Sequence, residues 1–490
     1  MKKYTYQISK YLKELILSEP LFNRTVSELS SLIKELHVSP VEVLDSCFQR
    51  IEDVNERVFG FLTLAKDEAY RQGKIAEKEI MEKRYLGPLH GIPFGVKDII
   101  DTEGVLTTRG SSVFKDNIPS KDAFCVSKLK DAGAVMLGKC HTQEFASGPL
   151  SYNPYFGTVK NPWDITRTTG GSSSGSAASV SSRMIPFALG TDTGSSIRGP
   201  SALCGIVGLK PTHGRVSLNG VCPNTLSFDH VGPMTRSVED AAMILEALSG
   251  YDSLDPYSKI VNSSGISSEM KEGIEGMRIG LCPDLYSNHE VDDEILSAFE
   301  KMVQFFEKNG VIVKELKINS MEKVQEIIDV ILSAEFLEFH LPIFKDHAEG
   351  YGEIAKEAVE SRIGNVSTEQ LVLAYREREL LKREILLMFN EVDVIMAPSL
   401  PCISPRIENW KSSINGKEID YNSPITKPFL TPHNFTGAPA LVVPIGLSSE
   451  GLPMSMQIIG DMWKEGKVLR FAYVLEKEDL LNLEGKTAPC

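Results

Sequence analysis

The chain has 490 residues, 42% of them hydrophobic, and a formal net charge of −14. It has no Lys/Arg-rich run and no apolar stretch close to the roughly 18 residues that span a bilayer, so we expect no nucleic-acid partner and no membrane segment. The eight cysteines include no C-x-x-C pair and no zinc-like spacing to histidine. This predicts reduced thiols, a cytoplasmic location and no metal or cofactor.

Helical patterns fill the N-terminal part of the chain. The first 20 residues predict an amphipathic helix and not a signal peptide, because two lysines interrupt the apolar run. Residues 26–83 predict helices. Thr25 is a candidate cap, and Ser39 followed by Pro40 has the N-cap and N1 order that starts a helix.

The pattern changes near residue 90, where short β-rich runs begin to alternate with helical ones. Residues 92–100 and 134–137 predict strands, and residues around 122–132 predict the helix between them. This alternation is typical of an α/β fold with a mostly parallel or mixed sheet.

Residues 168–220 open with TTGGSSSGSAASVSS, a run of almost only small residues. A flexible Gly/Ser linker is one interpretation. We reject it because the run passes directly into the apolar stretch 184–189, with no polar flank. Small side chains in a helix allow close packing in a core, and a glycine-rich turn before such a helix presents free N–H groups at the helix N-terminus.

The C-terminal half returns to long helical patterns, at 292–308, 321–339 and 368–391. Strand-like runs follow at 392–396 and 440–444, and the Pro- and Asn-bearing stretch 403–428 predicts a loop. The chain has no internal repeat and no sharp change in composition, so we expect one domain over residues 1–490.

Several serines are candidate nucleophiles. Gly171 to Gly175 matches G-x-S-x-G, the nucleophile elbow of α/β-hydrolases, which would make Ser173 the nucleophile and His433 the late histidine of a triad. The elbow needs a strand directly before it, and residues 161–169 look turn-like. A chance match is easy in such a serine-rich stretch, so this alternative has little weight.

A lysine can activate a serine instead, provided that burial or neighbouring groups lower the lysine pKa. Lys97 lies in a strand-like run among apolar residues, which suits this role. An ion pair with the adjacent Asp98 would keep Lys97 protonated, but strand alternation directs the two side chains to opposite faces. From Lys97 alone, a strand-end lysine that reaches solvent is the commoner case.

Five motifs together favour Lys97 as the base over a strand-end lysine that reaches solvent. GVKD at 95–98, GGSSSG at 170–175, GTDTGSSIRGP at 190–200, GLKPT at 208–212 and GPMTRSVEDA at 232–241 resemble the amidase signature family of Ser–cis-Ser–Lys hydrolases. The resemblance covers about residues 25–475 and is tightest over 85–245. It implies an α/β fold of three α/β/α layers with a large central mixed sheet covered by helices. It also implies a signature block at 168–220 and a substrate-shaping region of helices and loops at 290–430.

The resemblance also assigns roles. Ser172 lies 75 residues after Lys97, and Ser196 lies 24 residues after Ser172, which are about the family spacings. It implies that Ser196 is the nucleophile, that Ser172 is the bridging serine after a cis peptide bond, and that neutral Lys97 accepts the proton through Ser172. Backbone N–H groups of Thr193, Gly194, Ser195 and Ser196 would form the oxyanion hole. Ser173, Asp192 and Arg198 would support the site.

Two positions depart from the family pattern, which has glycine where this chain has Ser195 and Ser174. Serine adopts a positive φ only at a cost. Either the oxyanion loop is shifted, or Ser195 keeps an ordinary backbone conformation and adds a hydroxyl to the site. A non-catalytic binding protein is a further alternative, which the intact lysine and serines disfavour.

The family includes free-standing amidases and the glutaminase subunit of tRNA-dependent amidotransferases. That subunit binds the glutamine amino group with an acid where this chain has Lys427, and its arginine-bearing segment has no convincing match in 350–390. We therefore expect a free-standing amidase; the alternative is the glutaminase subunit.

Carbamates and esters share the chemistry, and a homodimer is left open. Five aromatic residues would favour an acyl or aryl amide as the small-molecule substrate if they line the cleft: Phe336, Phe339, Phe344, Tyr351 and Phe429.

Overall fold

A computed structural model describes residues 19–286, 290–318, 321–422, 427–481, 483, 488 and 490. The helix predicted for the first 20 residues lies almost wholly outside the described residues. Within them, no helix is both long enough and apolar enough to cross a membrane. All eight cysteines are buried, and none forms a disulfide.

The helices follow in chain order as α1 Val26–Lys34, α2 Pro40–Val58, α3 Lys66–Met81, α4 Phe124–Asp131, α5 Ser174–Ser181, α6 Arg198–Cys204, α7 Val238–Leu248, α8 Ile266–Met270, α9 Asp293–Lys308, α10 Met321–His347, α11 Glu353–Glu360, α12 Thr368–Leu387, α13 Lys427–Leu430, α14 Pro432–Thr436 and α15 Glu465–Lys477. Short 3-10 turns lie between some of them.

The strands are β1 Phe61–Leu64, β2 Pro93–Lys97, β3 Val135–Cys140, β4 Tyr152–Asn153, β5 Gly157–Thr158, β6 Lys160–Asn161, β7 Asp164–Thr168, β8 Phe187–Thr191, β9 Val207–Lys210, β10 Val231–Thr235, β11 Arg278–Leu281, β12 Ile312–Glu315, β13 Val394–Pro398, β14 Lys411–Ile414, β15 Lys417–Asp420, β16 Ala440–Leu447 and β17 Pro453–Gly460.

Eleven strands form one central sheet in the order β1-β3-β2-β8-β10-β9-β16-β17-β13-β11-β12. The pairs β2–β3, β2–β8, β13–β11 and β11–β12 are parallel, and the pairs from β8 through β13 across the centre are antiparallel. The mixed sheet with its covering helices confirms the predicted fold class. That the whole chain is one domain stays a prediction.

Local sequence explains where the first helices begin. Thr25 caps α1 and Ser39 caps α2, each in a capping box with the glutamate three residues later, and Pro40 is the first residue of α2. The helices predicted for 26–83 are therefore confirmed in part. Strand β1 interrupts them, because four residues are too few to show a strand period against the helical pattern around them.

Strands β2 and β8 bring the two signature segments together. They are parallel neighbours, with Val96 opposite Leu189, so their carboxyl ends lie side by side. The next element after the glycine-rich turn is α5, and every residue of α5 is buried. A Cβ at Gly175 would lie 2.3 Å from the Gly60 carbonyl oxygen, so this helix packs too closely for a larger residue. The linker interpretation is excluded.

Two predictions of irregular structure are wrong. Residues 161–169 contain β7, which pairs with β6 in a small hairpin outside the central sheet. The predicted loop 403–428 contains the hairpin of β14 and β15 and the start of α13, with 423–426 outside the described residues. Isolated two-stranded hairpins bury little surface, so their sequences resemble loops.

Candidate active site

Lys97 is the last residue of β2 and is fully buried. Its Nζ donates to Ser172 Oγ and to Thr191 Oγ1, both at 2.7 Å. Burial lowers the pKa of Lys97 to about 7, although the negative charges of Asp192 and Asp229 oppose the shift. The amine is therefore partly neutral at neutral pH and does not extend to solvent as a surface lysine would.

Asp98 does not pair with Lys97. Its carboxylate accepts hydrogen bonds from the Thr108 backbone N–H at 3.1 Å and from Thr108 Oγ1 at 2.5 Å. Burial raises the pKa of Asp98 to about 6, with Lys139 acting in the opposite direction. Strand β2 ends at Lys97, so the turn that carries Asp98, and not the predicted strand alternation, separates the two side chains. Because Thr108 binds its carboxylate, Asp98 does not prevent Lys97 from losing its proton.

Ser172 and Ser173 differ in what their hydroxyls contact. The peptide bond between Gly171 and Ser172 is cis, and Ser172 Oγ accepts the hydrogen bond from Lys97. Ser173 Oγ donates to the Thr191 carbonyl and accepts from the Thr191 N–H, both at 3.2 Å. Ser173 thus contacts the backbone of the residue whose hydroxyl binds Lys97, and it does not bind the lysine directly.

Ser196 lies on the loop that connects β8 to α6. It is 8% exposed and lines a cavity of about 650 Å³, together with Thr193, Gly194 and Ser195. Its carbonyl accepts a hydrogen bond from the Ser173 N–H at 3.3 Å, which ties the two serine segments together. No acceptor among the described residues binds the backbone N–H groups of residues 193–196. These donors remain available for an anionic oxygen.

The ion pair of Asp192 and Arg198 anchors the loop between β8 and α6. Both are fully buried, and Arg198 Nε and Nη2 donate to the two carboxylate oxygens of Asp192 at 3.0 Å. The Ile197 and Arg198 N–H groups bind the same carboxylate, and Asn434 joins it to Arg198. Burial by itself would raise the pKa of Asp192, but Arg198 outweighs it and the pKa falls to about 2.

The structure resolves the question of Ser195. It is not among the non-glycine residues with positive φ, so it has an ordinary backbone conformation and its side chain borders the cavity. Gly194 also lacks a positive φ. Ser174 begins α5, where its buried Oγ has no hydrogen-bond partner among the described residues. Neither serine needs the conformational freedom of glycine.

The α/β-hydrolase alternative lacks its geometry. Ser173 is fully buried with its hydroxyl engaged by Thr191, and the strand before the motif, β7, is not part of the central sheet. His433 lies on α14 beside a small apolar cavity lined by residues such as Leu285 and Ile385. Burial holds the pKa of His433 well below its usual range.

Helix α10 supplies one wall of the 650 Å³ cavity through Ile328, Leu332 and Phe336. Of the five aromatic residues singled out in the sequence, Phe336 alone belongs to the lining. The others are buried or partly buried in the core: Phe339, Phe344, Tyr351 and Phe429. The apolar wall is therefore mostly aliphatic.

Three charged side chains also line the cavity. Lys427 Nζ lies 3.5 Å from Asp329 Oδ1, so these two charges offset each other. Arg362 lies over the Phe336 ring at 4.8 Å and donates to the Ala358 carbonyl. No carboxylate among the described residues is within ion-pair distance of Arg362. Asp329 also acts on the charge of Arg362 through space, so Lys427 and Arg362 share one carboxylate and the charged side chains of the lining sum to one positive charge.

Sequence reasoning missed two of these residues. Thr191 is the last residue of β8 and the second residue of the motif at 190–200, but nothing in the sequence assigns its hydroxyl to Lys97. Arg362 lies in the 350–390 stretch, whose sequence shows no recognisable arginine segment, because nothing in its neighbours marks it as a cavity residue. Only the contact of Arg362 with the Phe336 ring on α10 identifies it as a cavity residue, and that contact is a tertiary one.

A family model and a curated relative both match most of this chain. The family model described as Amidase matches residues 42–469. A glutamyl-tRNA(Gln) amidotransferase subunit of Halothermothrix orenii is 34% identical over 493 residues, covering 95% of this chain and 99% of that protein.

Solved structures have the same fold. One, from work on an unexpected vestigial protein complex that reveals the evolutionary origins of an s-triazine catabolic enzyme, has a TM-score of 0.88 at 28% identity. It covers 94% of this chain and 100% of that chain. A bacterial aryl acylamidase of the amidase signature enzymes has a TM-score of 0.83 at 27% identity, covering 93% of this chain and 96% of its own.

Proposed function

The chain belongs to the amidase signature family, whose members hydrolyse amide C–N bonds, and we propose that it does so through an acyl-enzyme on Ser196. The observation that carries this proposal is the contact between Lys97 Nζ and Ser172 Oγ. A buried lysine with a pKa of about 7 can accept a proton near neutral pH, whereas an ordinary lysine is protonated there.

We propose the following reaction. Neutral Lys97 takes a proton from Ser172, which takes one from Ser196, and Ser196 Oγ attacks the amide carbonyl. The tetrahedral intermediate collapses when the relay returns the proton to the leaving amine. Water, activated by the same relay, then attacks the ester on Ser196 and releases the carboxylic acid.

The oxyanion of the intermediate needs donors that are already in position. The backbone N–H groups of Thr193, Gly194, Ser195 and Ser196 have no acceptor among the residues that the structure describes, and all four residues line the cavity. Removal of one such donor costs about 3 kcal/mol of transition-state stabilisation in well-studied hydrolases. We propose that the buried Asp192–Arg198 pair fixes the loop that carries them.

The cavity lining indicates a class of substrate. Its aliphatic wall favours an amide with an apolar body, and Arg362, which lies over Phe336 on that wall, favours one that also carries a carboxylate. A volume of about 650 Å³ accommodates more than a small polar amide. We therefore propose a free-standing amidase that acts on a medium-sized acyl or aryl amide with an anionic group.

A glutaminase subunit is the second candidate function. The relative from Halothermothrix orenii has the name of an amidotransferase subunit, and Arg362 would suit the carboxylate of glutamine. Lys427 weighs against it, because the resemblance places at this position the acid that binds the glutamine amino group, and the nearby Asp329 is already paired with Lys427. A carbamate or an ester would react through the same relay.

Covalent labelling tests the nucleophile without a known substrate. The purified protein is treated with a fluorophosphonate, digested, and searched by mass spectrometry for the added mass. We expect label on Ser196, loss of label in Ser196→Ala, and retained label in the matched control Ser195→Ala. Label on Ser173 instead, or no label at any serine, would overturn the proposal.

A substrate panel then separates the two candidate functions. The protein alone is assayed with glutamine and with aryl amides, each aryl amide with and without a carboxylate. We expect hydrolysis of the carboxylated aryl amides and none of glutamine. Glutaminase activity that appears after co-expression with amidotransferase partner subunits would support the second candidate.

A further inference from the structure

Asp229 links two walls of the cavity. It lies two residues before β10 and is almost fully buried. Its Oδ1 accepts a hydrogen bond from Thr193 Oγ1 at 2.5 Å, and its Oδ2 accepts from the Asn224 and Thr225 N–H groups at 2.9 and 3.1 Å. Thr193 begins the proposed oxyanion loop, and both Thr193 and Asn224 line the cavity.

The charge of Asp229 is not offset in the way that the charge of Asp192 is. Asp192 pairs with Arg198, whereas the donors to Asp229 are a hydroxyl and two peptide groups, all neutral. Across the described residues, no cation lies within ion-pair distance of Asp229. An uncompensated buried carboxylate acts on nearby charges more strongly than a paired one.

We propose that Asp229 is a positioning residue for the reaction: through Thr193 its carboxylate fixes the start of the oxyanion loop, two residues beyond the Thr191 hydroxyl that binds the Lys97 amine. This inference rests on the proposed function of Lys97 and Ser196. A single side chain then controls both the position of the N–H donors in the oxyanion loop and the pH range over which Lys97 can accept a proton.

The electrostatic environment of the two groups supports this role. Burial lowers the pKa of Lys97, while Asp192, then Asp229, then the Cys222 thiol raise it. Burial also raises the pKa of Cys222, to about 12, so this thiol is neutral at working pH. Burial raises the pKa of Asp229 to about 6; Glu335 adds to the rise, and the hydrogen bonds from Thr193, Asn224 and Thr225 oppose it.

The sign of the effect follows from these causes. Asp229 raises the pKa of Lys97, so removal of its charge lowers that pKa further. Lys97 then becomes neutral at lower pH, and the acid limb of the pH profile moves to lower pH. Removal of the Thr193 hydroxyl disturbs the loop but leaves the negative charge of Asp229. It therefore lowers the labelling rate without moving the acid limb of the pH profile.

The test compares Asp229→Asn and Thr193→Val by their rate of fluorophosphonate labelling at Ser196 from pH 5 to 9. We expect Asp229→Asn to lower the plateau rate about tenfold through misplaced donors. We also expect its acid limb to shift by about one unit to lower pH. We expect Thr193→Val to lower the plateau rate and to leave the acid limb in place. The double variant should label no more than about twofold more slowly than Asp229→Asn, because both substitutions remove the same hydrogen bond between Thr193 and Asp229.

Asp252→Asn is the matched control. Asp252 is also a buried aspartate with neutral donors, the Ser217 hydroxyl and the Leu254 N–H, and it does not line the cavity. We expect it to change neither plateau nor limb. Wild-type protein without label on Ser196 would refute the proposed function itself. Wild-type labelling with an unchanged rate and limb in Asp229→Asn would refute this inference alone. If Asp229→Asn does not fold, an unchanged rate in Thr193→Val overturns it.

Discussion

The rate at which Ser196 reacts with a fluorophosphonate should rise with pH and level off above about pH 7. Lys97 accepts the proton in the proposed relay, and an ammonium has no lone pair to accept it. Because burial lowers the pKa of Lys97 from its usual value of 10.5 to about 7, the base becomes available in the neutral range. The perturbation is a change of pH, and the reporter is the covalent adduct.

The size of the effect follows from the neutral fraction of Lys97. Below the pKa this fraction falls tenfold per pH unit, so the labelling rate at pH 5 should be about one hundredth of the plateau. An unperturbed lysine with a pKa near 10.4 would be about one part in 2,500 neutral at pH 7. Burial thus increases the population of the active base by about a thousandfold.

The assay quenches the labelling reaction at timed intervals from pH 5 to 9 and quantifies the adduct on Ser196. Lys97→Met, which keeps the length of the side chain without its amine, should lower the plateau about a thousandfold and abolish the limb. Titration of Glu144 must be distinguished from titration of Lys97, since burial raises the pKa of Glu144 to about 7 as well. Its carboxylate binds Ser111 Oγ and the Gly352 N–H, and Glu144→Gln should keep the limb.

Two results would refute the reasoning. A wild-type limb near pH 4.5 would mean that Lys97 is not the titrating base, and a limb above pH 9 would mean that burial does not lower the pKa of Lys97. A limb that persists in Lys97→Met and disappears in Glu144→Gln would assign the titration to the carboxylate next to the cavity. Intact folding of each variant is checked first by its thermal unfolding.

Further outcomes concern stability, backbone and specificity. Arg198→Met should lower the free energy of unfolding by about 3–5 kcal/mol in urea titration, because it leaves Asp192 buried without its partner; a loss below 1 kcal/mol would contradict this. Ser195→Gly should label within about threefold of wild type and lose no more than about 1 kcal/mol of stability, since Ser195 has no positive φ; a tenfold change would show that the serine hydroxyl matters. Arg362→Ala should raise KM for a carboxylated aryl amide about tenfold and leave the uncharged analogue unchanged, with the exposed Arg376→Ala as control. Between pH 7 and 10 the stability of wild type should rise relative to Lys97→Met in the same titrations, because the unfolded lysine binds a proton that the folded one has lost; parallel curves would contradict it.

Much of the fold followed from local sequence. The long patterns that became α9 and α12 show a helical period over several turns, and their bounds were predicted to within about four residues. The start of α10 was predicted at residue 321, but the helix continues to His347, beyond the predicted end at 339. Strands β9, β11 and β12 were not predicted, because each has four residues and such a run is too short to distinguish a strand from a turn or a helix end.

The sequence by itself determined the candidate chemistry of this protein. Lys97, Ser172 and Ser196 stand in motifs at spacings that few other chains would match, and a motif is a local property that needs no fold to be recognised.

Only the tertiary structure decided what surrounds those residues. Thr191 reaches Lys97 because β2 and β8 are parallel neighbours, and Arg362 reaches the cavity from a segment more than 160 residues beyond Ser196. The pKa of Lys97 and the unpaired charge of Asp229 are likewise properties of burial and of distance in space. Sequence encodes neither directly, because desolvation and Coulomb interactions depend on which distant segments the fold brings together.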